Sequence, residues 1–146
     1  MKVYVVGAGA IGRFLGGLLT GHGDDVVYAP RQLDRVALVE GVDLAIVAVK
    51  AYDTAGAVET LQRALGAAAG TTILTVQNGI GNEEQLAEAF GAEAVASGAL
   101  TIPVQRDGES ARATGAGGLG LAPVGAGSIN WLLAAFGDVG IEVQSY

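Results

Sequence analysis

The chain alternates short apolar runs with longer stretches of helical period. Val3–Val6 is a continuous apolar run of strand length, and Ile11, Leu15, Leu18 and Leu19 then recur at i, i+4, i+7 and i+8, one face of a helix. Gly21-His22-Gly23 marks the end of that helix, with His22 placed to bond its last carbonyls, and Asp25–Ala29 begins a second strand. Leu44–Val49 has almost no polar alternation, which signals a strand buried on both faces. Val58, Leu61 and Leu65 mark the next helix, and Thr71–Val76 the next strand. Asn82 with Gln85 has the form of a capping box ahead of Leu86, Ala89 and Phe90, and Ala94–Ala99 is a fifth strand. Strand followed by helix, repeated, predicts an α/β domain: a doubly wound, mostly parallel sheet with helices on both faces.

The final third changes character. Thr101–Arg106 and Ser110–Thr114 flank Asp107-Gly108-Glu109, which predicts an antiparallel hairpin, and Gly118–Ala122 a further strand. Ser128 is placed to cap a helix carrying Ile129, Leu132, Leu133 and Phe136, with Gly137 as its stop, and Ile141–Gln144 reads as an edge strand.

The length of 146 residues suits one domain, and 51% hydrophobic against 16% charged residues excludes a disordered chain. A net charge of −7 disfavours nucleic acid and anionic membrane surfaces. With no Cys and one His, thiolate metal sites and disulfides are out and zinc has few ligands, so no metal is expected. The opening apolar run is too short for a signal peptide, and no segment reaches the roughly 18 apolar residues of a membrane span. A cytoplasmic protein is the expectation.

Chemistry concentrates at the ends of the predicted strands. Gly7-Ala8-Gly9-Ala10-Ile11-Gly12 is G-x-G-x-x-G between a buried strand and an amphipathic helix, the context in which that motif binds a dinucleotide. Gly7 would permit the tight turn, Gly9 the approach of backbone to a pyrophosphate, and Gly12 the close packing of helix on strand. The free amides of Ala8, Ala10 and Ile11 and the positive end of the helix dipole would then hold the anion. Strand two ends in Tyr28-Ala29-Pro30-Arg31, with no carboxylate to grip a ribose 2′-hydroxyl, whereas Arg31 can pair with a 2′-phosphate. NADP is therefore the expected cofactor. Lys50 leaves the third strand, and Asn78 sits in Gln77-Asn78-Gly79 after the fourth. Either can donate to a ribose, a carboxamide or a substrate oxygen.

GAGAIG at 7–12, VKAYDT at 49–54 and QNGIGNEEQL at 77–86 together resemble the N-terminal domain of the ketopantoate reductase (2-dehydropantoate 2-reductase) family, with Gln105-Arg106-Asp107-Gly108 a weaker match. The resemblance implies a Rossmann-type fold, with residues 1–146 as a single dinucleotide-binding domain, and NADPH-dependent reduction of ketopantoate to pantoate on the route to coenzyme A. Carried over by position, Gly7–Gly12 would bind the pyrophosphate and Arg31 the 2′-phosphate. Lys50 and Asn78 would line the nicotinamide side, and Val104 would touch the cofactor. Two departures stand out. The family's chains run to roughly double this length, with a helical second domain that carries the catalytic Lys. Gln32–Val42 is also short, near the roughly dozen-residue minimum for a parallel crossover, with Leu33, Val36 and Ala37 enough for at most two helical turns. The chain alone is therefore expected to bind NADPH but to turn over ketopantoate poorly. The main rival is a non-catalytic NAD(P) sensor of the kind that regulates potassium transport. VKAYDT, QNGIG and the missing acid after strand two speak against it. Trp131 belongs to a helix expected to expose apolar surface, and a homodimer is compatible with that.

Overall fold

The computed structural model describes residues 1–66, 70–77 and 81–146. Nine strands and four helices are described: β1 (Lys2–Val6), α1 (Ala10–His22), β2 (Asp25–Tyr28), β3 (Leu44–Val47), α2 (Thr54–Leu65), β4 (Thr72–Thr75), α3 (Asn82–Phe90), β5 (Val95–Leu100), β6 (Val104–Asp107), β7 (Ser110–Ala113), β8 (Leu119–Pro123), α4 (Asn130–Asp138) and β9 (Val143–Ser145). Seven strands form one sheet in the order β2-β1-β3-β4-β5-β8-β9, and β6 and β7 pair separately as a hairpin. The first five strands are parallel, β8 runs antiparallel to β5, and β9 runs parallel to β8.

Side chains alternate across the sheet, and each face builds its own core. On one face Val3, Val5, Leu44, Ile46 and Leu74 meet Phe14, Leu15 and Leu19 of α1 and Leu132 and Phe136 of α4. On the other, Tyr4, Val6, Ala45, Val47 and Ile73 meet Ala57, Leu61, Ala64 and Leu65 of α2 and Leu86 of α3. Burial on both faces is why β1 and β3 read as unbroken apolar runs. The hairpin packs against α1, with Val104 and Ala111 partly buried on the first core.

Several local expectations are corrected. The carbonyls at the end of α1 are met by the backbone: Gly23, in the left-handed region at φ 102°, donates to Thr20 O at 3.0 Å, and Asp24 N to Leu19 O at 3.0 Å. His22 pairs instead with Asp24, its Nδ1 3.2 Å from a carboxylate oxygen. Asn82 does not cap α3. Gly81 holds that position, and Asn82 is the first helical residue, buried, with its amide against Thr54. In α4 Ile129 holds the N-cap position while Ser128, one residue earlier, accepts from Asn130 N at 3.4 Å, as expected of a capping serine; the helix runs through Gly137 to Asp138 before Gly140 takes the left-handed φ of 89°.

The link from β2 to β3 contains one short 3-10 turn, Leu33–Arg35, in place of a helix. It lies along α2: Val39 N donates to Ala64 O at 2.7 Å, satisfying a carbonyl at the helix end, and Arg63 Nη1 donates to Leu33 O at 3.0 Å. Val36 and Val39 pack on the second core, and that packing takes up the apolar positions a crossover helix would have used. Among the described residues no helix is long and apolar enough to cross a membrane, and no group of three His, Asp or Glu is placed to hold a metal ion.

Candidate functional site

The chain crosses over between β1 and β3: from β1 it leads outward to β2, and after β2 it returns past β1 to β3. Open α/β sheets bind ligands in the crevice that such a reversal leaves at the carboxyl ends of the strands. A cleft of about 940 Å³ opens there. Its floor is the turn after β1 (Gly7–Ile11), its walls are the segments after β2 (Ala29–Arg31) and β3 (Ala48–Asp53), and Val76 and Gln77 close it after β4.

The turn after β1 fits an anion. A Cβ on Gly7 would lie 2.7 Å from the carbonyl carbon and oxygen of Ala48, and its φ is 105°, so only glycine fits between the two strand ends. At Gly12 a Cβ would collide with Gly7 O at 1.9 Å, and its absence seats α1 directly on the turn. Gly9 differs: among the described residues, its chain neighbours aside, no atom lies within 4 Å of its would-be Cβ, so it leaves open space beside the start of the helix. Helix α1 has no side-chain cap and no acidic residue in its first turn. The amides of Ala10, Ile11 and Gly12 all precede the first intrahelical bond, from Arg13 N to Gly9 O at 2.9 Å. Unpaired amides at the positive end of a helix dipole favour negative charge in that space.

Electrostatics point the same way. The chain has eight Lys and Arg against fifteen Asp and Glu, yet the cleft is lined by three cations (Arg31, Lys50 and Arg106) and two acids (Asp53 and Glu59). Arg31 and Lys50 are exposed, and among the described residues neither side chain makes a hydrogen bond or ion pair. Arg106 reaches the cleft from the hairpin, its Nε donating to Gly108 O at 2.7 Å.

The structure thus brings Gly7–Ile11, Arg31 and Lys50 to one cleft, with Gly12 beneath it. Asn78 lies outside the described residues. Val104 does not line the cleft: it is partly buried on the core beneath α1, and Arg106, two residues on, takes the place at the rim. Sequence reasoning named Arg106 and Gln77 only inside the family-like stretches and gave neither a role. Nothing local shows that an exposed hairpin cation will reach a cleft. The role of Gln77 rests on Thr75, two residues back, and on Val49 and Thr54, which only the fold brings near.

Fold and cleft together define a Rossmann-type α/β domain with a bare glycine turn at its switch point. The ketopantoate reductase PanE/ApbA family matches residues 28–126, and the chain belongs to that family. The match includes Arg31, Lys50 and the hairpin, but not the glycine turn at 7–12. The 2-dehydropantoate 2-reductase of Pyrococcus abyssi is 35% identical over 65% of this chain and 38% of its own length. A crystal structure of 2-dehydropantoate 2-reductase from Geobacter metallireducens superposes with a TM-score of 0.85 at 27% identity, covering all of this chain and 58% of that one. D-mandelate dehydrogenase, solved with NADH and anilino(oxo)acetate, shares the fold at a TM-score of 0.84 and 21% identity, over all of this chain and 57% of that one. The chain therefore spans well under two thirds of the length of these relatives.

Proposed function

We propose that this chain is the NADP-binding domain of a 2-dehydropantoate 2-reductase-like oxidoreductase, which reduces ketopantoate to pantoate at the expense of NADPH. Family membership supports the reaction class, and the relatives named above supply the substrate. The observation that carries the cofactor is the pairing, in one cleft, of a bare helix-opening turn with Arg31 at the end of a β2 that offers no carboxylate.

The residues divide the work by chemistry. The amides of Ala10, Ile11 and Gly12 hold the diphosphate, since each has a proton to give and no helical acceptor. Arg31 presents a planar fork that matches a phosphate in two places, which selects the 2′-phosphorylated coenzyme over its unphosphorylated form. Lys50, as a flexible ammonium at the end of β3, donates to a ribose hydroxyl or to the substrate carbonyl oxygen. Asn78, carried over from the family motif, supplies an amide to the nicotinamide carboxamide or to a substrate oxygen. When bound, the coenzyme supplies the hydride.

The test is a titration of the protein with NADPH and with NADH, repeated on Arg31→Ala. The substitution should weaken NADPH binding by about 1–3 kcal/mol, the cost of losing charge-assisted bonds, and leave NADH nearly unchanged. Equal losses for both coenzymes would show that Arg31 does not read the extra phosphate.

A further inference from the structure

Two strand mouths and the start of a helix meet at one side chain. Gln77 follows β4, and its amide nitrogen lies 3.1 Å from Val49 O, 3.0 Å from Thr54 Oγ1 and 3.4 Å from Lys50 O. An amide has only two protons, so Val49 O and Thr54 Oγ1 take them and the longer contact to Lys50 O is at best shared. The amide oxygen accepts from Thr75 Oγ1 at 3.0 Å. This orientation is forced by chemistry, because a backbone carbonyl can only accept and must face the nitrogen. The network continues inward: Thr54 Oγ1 lies 2.8 Å from Ala51 O and 2.9 Å from Asn82 Oδ1. Thr54 and Asn82 are both buried, 1% and 2% exposed, at the first residues of α2 and α3.

We infer that Gln77 is a positioning residue: it clamps the turn after β3, and through it Lys50, against the mouth of β4, and so sets the shape of the coenzyme crevice. No other side chain is bonded to Val49 O or Lys50 O among the described residues, and the next link, Asp53 N to Lys50 O at 2.8 Å, is local to the turn itself. Besides Gln77, the hydrogen bonds among the described residues that join this part of the chain to β4 are the sheet ladder, which ends at Val47 and Thr75, and Val76 N to Val47 O at 3.0 Å. This inference rests on the coenzyme reading of the cleft only for its binding readout.

Gln77→Glu tests it. The near-isosteric carboxylate turns a donor toward Val49 O into an acceptor, so the two oxygens repel while the group is ionised. When protonated it can return one bond. The charged groups lining the same cleft are Lys50 and Asp53 after β3, Glu59 on α2, and Arg31 and Arg106 on the far walls. Glu83 of α3 is engaged by Ser97 Oγ at 2.9 Å. NADP⁺ affinity is measured from about pH 5 to pH 8.5 and expressed as a ratio to wild type at each pH, which cancels titration of the coenzyme phosphate. Amide hydrogen exchange of residues 50–53 is followed without ligand.

The expected result is binding about tenfold weaker than wild type at pH 8, a gap that narrows as the pH falls, and faster exchange at Asp53 at the higher pH. A merely structural lesion would give a ratio independent of pH, and that result, or exchange equal to wild type, overturns the inference. Gln77→Leu, which cannot recover a bond, should stay weak at every pH with fast exchange throughout. If Gln77→Glu does not fold, this variant decides: wild-type exchange in it overturns the inference. Wild-type protein that fails to bind NADP⁺ would defeat the coenzyme reading alone, and the exchange measurement would still judge the clamp.

Discussion

Gly9→Ala separates ligand from fold more cleanly than any other change in the cleft. The backbone at Gly9 has φ −79° and ψ −165°, an extended conformation open to alanine, and among the described residues beyond its chain neighbours no atom lies within 4 Å of the new methyl. Folding should therefore gain slightly, by about 0.4–1 kcal/mol, because alanine has less freedom to lose. For a domain of this size that raises Tm by about 1–4 °C. The ligand meets the opposite situation. A diphosphate oxygen hydrogen-bonded to the amides at the helix start sits about 2.9 Å from nitrogen, whereas a carbon needs roughly 3.5 Å from its neighbours. The methyl therefore stretches or breaks one or two charge-assisted bonds, worth about 1.5–3 kcal/mol each, and NADP⁺ affinity should drop roughly tenfold to several hundredfold or more. Calorimetric titration gives the affinity and a thermal melt the stability. Unchanged affinity in a folded variant would refute the reasoning, since it would mean that nothing approaches the turn where Gly9 leaves room.

Two other changes act on the fold itself. Gly12→Ala forces a methyl to within 1.9 Å of the backbone oxygen of Gly7, a clash that no rotamer relieves because Cβ is fixed by the backbone. It should destabilise by about 1–3 kcal/mol or more, read as a lower urea midpoint at constant slope; a wild-type midpoint would contradict the close seating of α1. Asp24→Asn probes the pair between the Met1 ammonium and Asp24, 2.8 Å apart. Burial pushes the Asp24 carboxyl up, but hydrogen bonds from the Met1 amine and His22, with their charge, hold it below its ordinary value. The hydrogen bond to Asp24 raises the amine above its own ordinary value. The pair therefore stabilises between these two limits, fading as pH falls through the lowered carboxyl pKa and as it rises through the raised amine pKa. Melts of wild type and Asp24→Asn should differ most at about pH 5–8 and converge toward both extremes, and a difference undiminished at alkaline pH would break the assignment.

The strands were legible because burial on both faces leaves no polar residue to confuse their outline, as in Leu44–Val47. The glycine turn was legible for a similar reason: each glycine answers a local geometric demand at a fixed offset from β1. Among helix ends, that of α1 was legible, with Gly23 taking the left-handed turn after His22, but those of α3 and α4 were not. Asn82 has the composition of a cap, but Thr54 offers its amide a buried partner and Gly81 can take the left-handed turn in its place. Gly137 looks like a stop, yet α4 continues past it because Gly140 completes the turn. The link after β2 was judged by its spacing of Leu33, Val36 and Ala37, while the winning term was tertiary: Val39 and Leu33 spend their backbone groups on α2. Gln77 and Arg106 lie in stretches the sequence singled out, but their places in the cleft depend on segments distant in the chain, such as Thr54 for Gln77.

The central claim is that main-chain amides at the start of α1 hold the diphosphate of a nicotinamide coenzyme. Amide chemical shifts followed by NMR during titration with NADP⁺ test this directly. Saturable shifts largest at Gly9, Ala10, Ile11 and Gly12, accompanied by Arg31 and Lys50, are the result the geometry predicts. Saturable binding that leaves those four amides unmoved would contradict it.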